Sequence, residues 1–380
     1  MISVNTSHLF VAAKSHAGMS GKNNEDRYTV TAYKVSQADP TPVVFALVSD
    51  GIGGHRAGET AAEIAVETIS EDVAHSDSSH PVLTLKEAII HASNSILAES
   101  ETDGDKKGMG ATCACVWVIG DQAYIATVGD SRIYLVRSET IQQVSIDHTW
   151  VQEAIGAGLL SPEEARSHPN AHVIRRYLGS PQTVEPDTRF KLNADEDDAQ
   201  SEANQGMRLQ PKDQILICSD GLTDLVNDNE ILQALQSKDP DNSIDSLIEL
   251  ANQRGGHDNI TIVVLGIPEA ISQTKPLPGQ LKPARRKRRL MLPCLITAFL
   301  ILLLGTIGLG IGYVYLEYLR PAQTPDIATT VEGTIPSVTS PPVTITGIPN
   351  QTQPATPETV GTAEDTAPTV TLFPAVTSSP

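Results

Sequence analysis

A chain of 380 residues with 27 Lys+Arg against 46 Asp+Glu carries a formal net charge of −19, which excludes the basic footprint of a nucleic-acid binder. Hydrophobic residues make up 40% and aromatics only 4%, enough for a sizeable core built mainly from aliphatic side chains. The cysteines Cys113, Cys115, Cys218 and Cys294 show no CxxC spacing, which argues against a thiolate zinc site and reads as reduced small hydrophobes in a reducing compartment.

The N-terminal MISVNTSHLFVAAKSH lacks a charged segment followed by a long apolar one and is predicted as the first strand, not a signal peptide. NNED then sets Glu25 and Asp26 ahead of a strand, and the apolar run TPVVFALVS ends at Asp50-Gly51. A helix is predicted from Gly58 to Val73, with Ile64, Val66 and Ile69 set against a solvated face of Glu59, Glu63 and Glu67. A second, Leu83 to Ala98, presents Leu85, Ile89, Ala92 and Ile96. ATCACVWVIG and QAYIATVG are separated only by Asp121, so they pair antiparallel, and SRIYLVR follows. Around Gly156, Gly158 and Pro162 a short helical lid is predicted, and KLNADEDDAQSEANQG reads as an inserted solvated loop. The strand QILICS, helices at Asn229–Gln236 and Ser243–Asn252, and the strand NITIVVLGI complete an α+β domain over residues 1–268, with helices covering its sheets.

A Pro-rich and basic juxtamembrane linker, residues 269–289, ends in ARRKRR. From Leu290 no charge occurs before Glu317, so residues 290–316 are predicted to form a transmembrane helix. The basic cluster on its N-terminal side predicts a single-pass cell-membrane protein with the 1–268 domain in the cytoplasm. The Thr/Ser/Pro-rich tail, residues 317–380, is predicted to be disordered and outside.

Acids recur at the ends and edges of apolar strands: Asp26, Asp50, Asp130 in VGDSR, Asp220 and Asp224 in SDGLTD, and Asp258 in GGHDN. Each Asp-Gly taken singly also suits a turn, and spacing alone does not separate turn from ligand. If the acids converge, two carboxylates about 4 Å apart repel by roughly 4 kcal/mol at an effective dielectric near 20, so cations are required. An all-oxygen donor set favours Mg2+ or Mn2+ over zinc.

In chain order, NNEDRY, VSDGIGGHRAGE, GMGAT, VGDSRIY, DHTWVQEAIGAGLLSPEEA, VIRRYLG, CSDGLTDLV and GGHDNITIVV resemble the metal-dependent type 2C Ser/Thr protein phosphatases in their bacterial form. The resemblance implies an α-β-β-α sandwich of two antiparallel sheets flanked by helices. It implies two Mn2+ or Mg2+ ions, with Asp50 bridging them, the Gly51 carbonyl also ligating, Asp220 and Asp258 on one ion and Asp26 supporting the other. Asp130 and Asp224 match the positions of a third ion in bacterial relatives. The implied reaction is hydrolysis of phosphoserine and phosphothreonine in proteins by a metal-bridged water. It uses no protein nucleophile and no phosphoenzyme intermediate, and an opposing Ser/Thr kinase is the implied partner. Glu25 and His55 match family positions whose roles stay unassigned, and His148 to about Arg176 resembles the family's flap.

Two departures bear on the substrate. The arginine usually found five residues before the NED aspartate is Gly21 here, leaving adjacent Lys22 as the phosphate-binding candidate without a bidentate fork. The family's acid two residues before the loop glycine is His16. These losses predict a raised KM with turnover retained; the alternative is a phosphoprotein-binding or sensor module with weak or lost turnover.

Overall fold

Strands buried on both faces organise the molecule. In β4 (Pro42–Ser49), Val43, Phe45 and Leu47 point one way and Val44, Ala46 and Val48 the other, and all are fully buried. The computed structural model describes residues 1–53, 56–102, 104–166, 168–236 and 239–269, the side chains of Arg56 and Arg166 excepted. His55, Cys294 and, from residue 270 on, the stretch predicted as linker, membrane helix and tail lie outside the described residues. No helix among the described residues is long and apolar enough to cross a membrane.

Among the described residues, one sheet is six-stranded, in the order β1 (Ile2–Ser3), β3 (Arg27–Lys34), β4, β7 (Cys113–Ile119), β8 (Gln122–Val128), β11 (Met207–Arg208). The second is five-stranded, β10 (Thr140–Gln143), β9 (Arg132–Arg137), β12 (Gln214–Cys218), β13 (Ile260–Gly266), β2 (Phe10–His16), and a two-stranded ribbon joins β5 (Gly51–Ile52) to β6 (Gly110–Ala111). Every pairing in these sheets is antiparallel. The predicted single N-terminal strand is therefore two, β1 and β2, in different sheets. A turn at Ser7, whose Oγ accepts the Leu9 N–H at 2.9 Å, separates them.

Three apolar layers follow from the alternation. Val44, Ala46, Val48, Val116 and Ile125 meet Ile133, Leu135, Ile217, Val263 and Leu265 between the sheets. Phe45, Leu47, Cys115 and Trp117 pack outward against α1 (Arg56–His75) and α2 (Pro81–Thr102). Leu216, Cys218, Ile262 and Val264 pack against α7 (Asp228–Leu235) and α8 (Pro240–Gln253). The α-β-β-α sandwich is thus observed. The buried side of α1 is lined by Ala57, Ala61, Ala62 and Ala65 as well as Ile69 and Val73, while Ile64 and Val66 are only half-buried. Alanines let the helix lie close to the sheet, a reason invisible to a hydrophobicity pattern.

The segment predicted as a solvated loop contains a helix, α5 (Asp198–Ala203), opened by a capping box between Asp197 and Gln200 and anchored by buried Ser201. Two short helices, α3 (Trp150–Gly156) and α4 (Pro162–Arg166), occupy the segment where a helical lid was predicted, and α6 (Asp220–Thr223) starts at the second Asp-Gly.

Candidate metal centre

Strand register alone gathers the acids. Arg27 lies opposite Ser49, so Asp26 and Asp50 leave neighbouring strands at the same level. Cys218 lies opposite Arg132, which sets Asp220 beside Asp130 at the matching end of the other sheet. Ile260 lies opposite His16, which carries Asp258 to the same end, next to the Gly18 turn. The two sheets meet here: Ser219 Oγ, following β12, donates to Asp26 Oδ2 at 2.8 Å, ahead of β3.

Backbone approaches need the glycines. A Cβ on Gly51 would sit 2.2 Å from the Gly58 carbonyl oxygen, and one on Gly221 would sit 2.0 Å from that of Asn259. Thr112 fixes Asp50: its Oγ1 accepts the Asp50 N–H at 2.9 Å and its own N–H donates to the Asp50 carbonyl at 2.8 Å. Asn24 Oδ1 accepts the Asp26 N–H at 3.1 Å. Asn259 closes the loop over the site, accepting the Glu25 N–H at 2.7 Å and donating to the Ala17 and Asn23 carbonyls, each at 3.2 Å.

The electrostatics are those of crowded anions. Burial and then the charge of Asp26, Asp220, Asp130 and Asp258 raise the Asp50 carboxyl far above the ordinary carboxylate range. Asp220 is raised by burial and by Asp130, Asp224, Asp258 and Asp26. Burial pushes Asp26 up to about 6, with Asp258 adding to the rise and Ser219 opposing it. Asp130 is pushed up to about 7 by burial and by Asp147. Burial also raises Asp224, against the opposing charges of His172 and Arg132. Asp26 Oδ1 and Asp220 Oδ1 are buried and accept no hydrogen bond. Orphaned carboxylate oxygens facing like charges are the donor set a hard divalent cation would satisfy.

Of the residues singled out in the sequence, Asp26, Asp50, Asp130, Asp220, Asp224 and Asp258 converge, with Gly51 and Glu25 at the same end. Lys22 lies exposed in the loop before Asn23, and Gly21 adopts φ +74° there. The supporting roles of Thr112, Ser219 and Asn259 were missed, although each stands inside or beside a quoted motif. His172 was missed as well, and no motif marks it. Its Nδ1 lies 3.2 Å from Asp224 Oδ2, and a ring nitrogen of His172 and one oxygen each of Asp220 and Asp224 lie within 4.8 Å of one another.

The flap that carries His172 leaves and returns through one point. Thr149 bridges Ile174 antiparallel, Trp150 N–H donates to Val173 and Arg175 N–H to the His148 carbonyl. Buried His148 anchors this base: its Nδ1 accepts the Gly129 N–H at 3.0 Å, one residue from Asp130, and its Nε2 lies 3.2 Å from Asp187 Oδ2.

Comparison with known proteins agrees with this geometry. The chain is 36% identical over 274 residues to the serine/threonine protein phosphatase PstP of Mycobacterium tuberculosis, a match covering 71% of this chain and 47% of that protein. The match thus spans about half the length of that relative. It is 35% identical over 248 residues to the serine/threonine phosphatase stp of Listeria monocytogenes, covering 64% of this chain and 90% of the relative. A crystal structure of the PstP catalytic domain in complex with 2 manganese ions superposes with a TM-score of 0.55 at 32% identity, covering 68% of this chain and 97% of that one. A family model described as Protein phosphatase 2C matches residues 14–258. With more than half of its length accounted for in that way, the chain belongs to the protein phosphatase 2C family.

Proposed function

We propose that this chain is a divalent-metal-dependent protein phosphatase that hydrolyses phosphoserine and phosphothreonine. The observation that carries the reading is the buried acid cluster with two unpartnered carboxylate oxygens, on Asp26 and Asp220. Asp50, the Gly51 carbonyl, Asp220 and Asp258 would hold the two ions, with Asp26 in a supporting role. Mn2+ or Mg2+ held there would supply Lewis acidity to activate water near neutral pH and to offset phosphoryl charge.

The chain's own residues keep that donor set in order. Ser219 and Asn24 orient Asp26, Thr112 holds the Asp50 backbone, and Asn259 binds the 17–25 loop against Asp258. No side chain is needed as nucleophile: water adds to phosphorus, the seryl or threonyl oxygen leaves with a proton, and phosphate is released. Cys218 could not serve, since it is fully buried and burial drives its thiol far above neutrality.

Asp130 and Asp224 would contribute to a third ion. Residues 290–316 would span the cell membrane, with the 1–268 domain and the 269–289 basic linker in the cytoplasm and the 317–380 tail outside; the ARRKRR cluster supports that orientation. Phosphorylated proteins would be the substrates and a Ser/Thr kinase the opposing partner. Gly21 favours a second reading, a phosphoprotein-binding module with weak turnover, because the usual arginine fork is missing. The full chain in detergent, given phosphopeptides with and without Mn2+, decides between them. Metal-dependent phosphate release that disappears in Asp220→Asn supports the enzyme, whereas Mn2+ binding without release supports the sensor.

A further inference from the structure

Residues 17–26 cross from β2 in one sheet to β3 in the other, and Arg27 stands where they arrive. The departing part is tied to the five-stranded sheet. Asn259 donates to the Ala17 and Asn23 carbonyls, and Asn24 Nδ2 donates to Ser15 Oγ of β2 at 2.8 Å. The arriving part is tied by Arg27. Its guanidinium turns back over the crossing, Nη1 donating to the Asn24 carbonyl at 3.0 Å and to the Asp26 carbonyl at 2.8 Å. Its Nη2 donates to Glu59 Oε1 in the first turn of α1. Glu59, predicted on the solvated face of that helix, is instead half-buried against Arg27. One residue earlier, α1 touches the acid centre. A Cβ on Gly58 would sit 2.7 Å from the Gly51 carbonyl oxygen and 2.2 Å from Glu25 Oε2. The ion pair thus joins the backbone of Asp26 to the helical turn that abuts the Gly51 carbonyl. A planar guanidinium serves three acceptors in fixed directions, which an ammonium cannot do.

We propose that Arg27 is a positioning residue for the metal centre: with Glu59 it sets the Asp26 backbone against the Gly51 carbonyl and thereby raises Mn2+ affinity. The inference rests on the metal-centre reading given above and adds to it a residue outside the donor set. Arg27 acts through the carbonyls of Asn24 and Asp26 and through α1, so its fork matters as well as its charge. Cutting the pair leaves the crossing segment fastened only from the side of the five-stranded sheet by Asn24 and Asn259, and the first turn of α1 free to move off Gly51.

The test titrates the full chain in detergent with Mn2+ by calorimetry and follows phosphopeptide hydrolysis over the same range. In Arg27→Ala, Mn2+ affinity is expected to fall by about 10–100-fold, and the Mn2+ needed for half-maximal hydrolysis to rise in step. KM for the phosphopeptide at saturating Mn2+ stays as in the parent. Arg27→Lys, which keeps the charge without the fork, recovers part of the affinity, and Glu59→Gln, which keeps an acceptor oxygen, loses less than Glu59→Ala. Combining Arg27→Ala with Glu59→Ala costs less than the two single losses added, because the two side chains act as one unit. Parent-like Mn2+ affinity in Arg27→Ala overturns the inference and leaves the metal centre standing, whether or not the melting temperature falls. A raised KM at unaltered Mn2+ affinity overturns it too and moves Arg27 to the substrate side. Mn2+ binding that depends on Arg27 in a protein releasing no phosphate supports the inference and overturns only the catalytic reading. Failure of any Mn2+ to bind, with Asp50→Asn indistinguishable from the parent, overturns the metal-centre reading first and this inference with it.

Discussion

Gly21 stands where the family resemblance implies an arginine, and its geometry qualifies any repair. A Cβ added there meets no atom within 4 Å, so an arginine has room, but φ is +74°. A left-handed L-residue costs roughly 1–2 kcal/mol. Gly21→Arg is therefore expected to lower KM for phosphopeptides while lowering thermal stability by that amount; steady-state kinetics and a melting curve on the same sample check both. An unchanged KM would show that the phosphate is not gripped from this loop. Asn259 tests the other side of the site. Asn259→Ala removes one acceptor and two donations, so metal affinity should fall by about 10–100-fold, as for other residues that hold ligands in place. Unaltered Mn2+ affinity by calorimetry would show that the loop orders itself without Asn259.

At the scale of elements, the strands were readable because burial on both faces leaves nearly unbroken apolar runs, as in PVVFALVS and ITIVVLG. The acids were readable one at a time, but their convergence needed the register that pairs Arg27 with Ser49 and Cys218 with Arg132. Helix α5 was lost to its acidic composition although the Asp197/Gln200 capping box stood in the sequence. His172 could not have been found by pattern, because its approach to Asp224 depends on how the flap returns to its base. That base rests on buried Asp187: burial alone would raise its carboxyl, but hydrogen bonds from His148 and Arg189 outweigh it and hold it well below the usual range. His148→Ala is expected to loosen the flap without unfolding the sandwich. Proteolysis within residues 150–175 should quicken while the melting temperature moves little; equal protection in both proteins would show that the Trp150–His168 stack, at 4.8 Å between ring centroids, suffices.

For the whole molecule, the acid centre opposes folding unless its charge is met. Asp26 and Asp130 have folded-state values of about 6 and about 7, above those of an unfolded chain. Between roughly pH 4 and those values the folded state holds more protons, so stability falls as pH rises, by about 1.4 kcal/mol per unit for each such group. With a chelator present, the melting temperature should therefore drop from pH 4.5 to pH 7, and saturating Mn2+ should reverse the drop. A flat profile in chelator would mean that the carboxylates repel one another less than their burial implies.

The Ser219–Asp26 hydrogen bond has a mechanical consequence. It spans the seam between the two sheets at their acid-bearing end, whereas the interior of that seam is lined by apolar side chains. Sliding one sheet past the other would have to break this polar rivet and the buried Thr112–Ser131 hydroxyl pair at 2.7 Å, so the end where the chemistry resides resists shear by polar bonds as well as by packing. Amide hydrogen exchange should register it: Ser219→Ala would speed exchange at the ends of β3 and β12 before it reaches their centres.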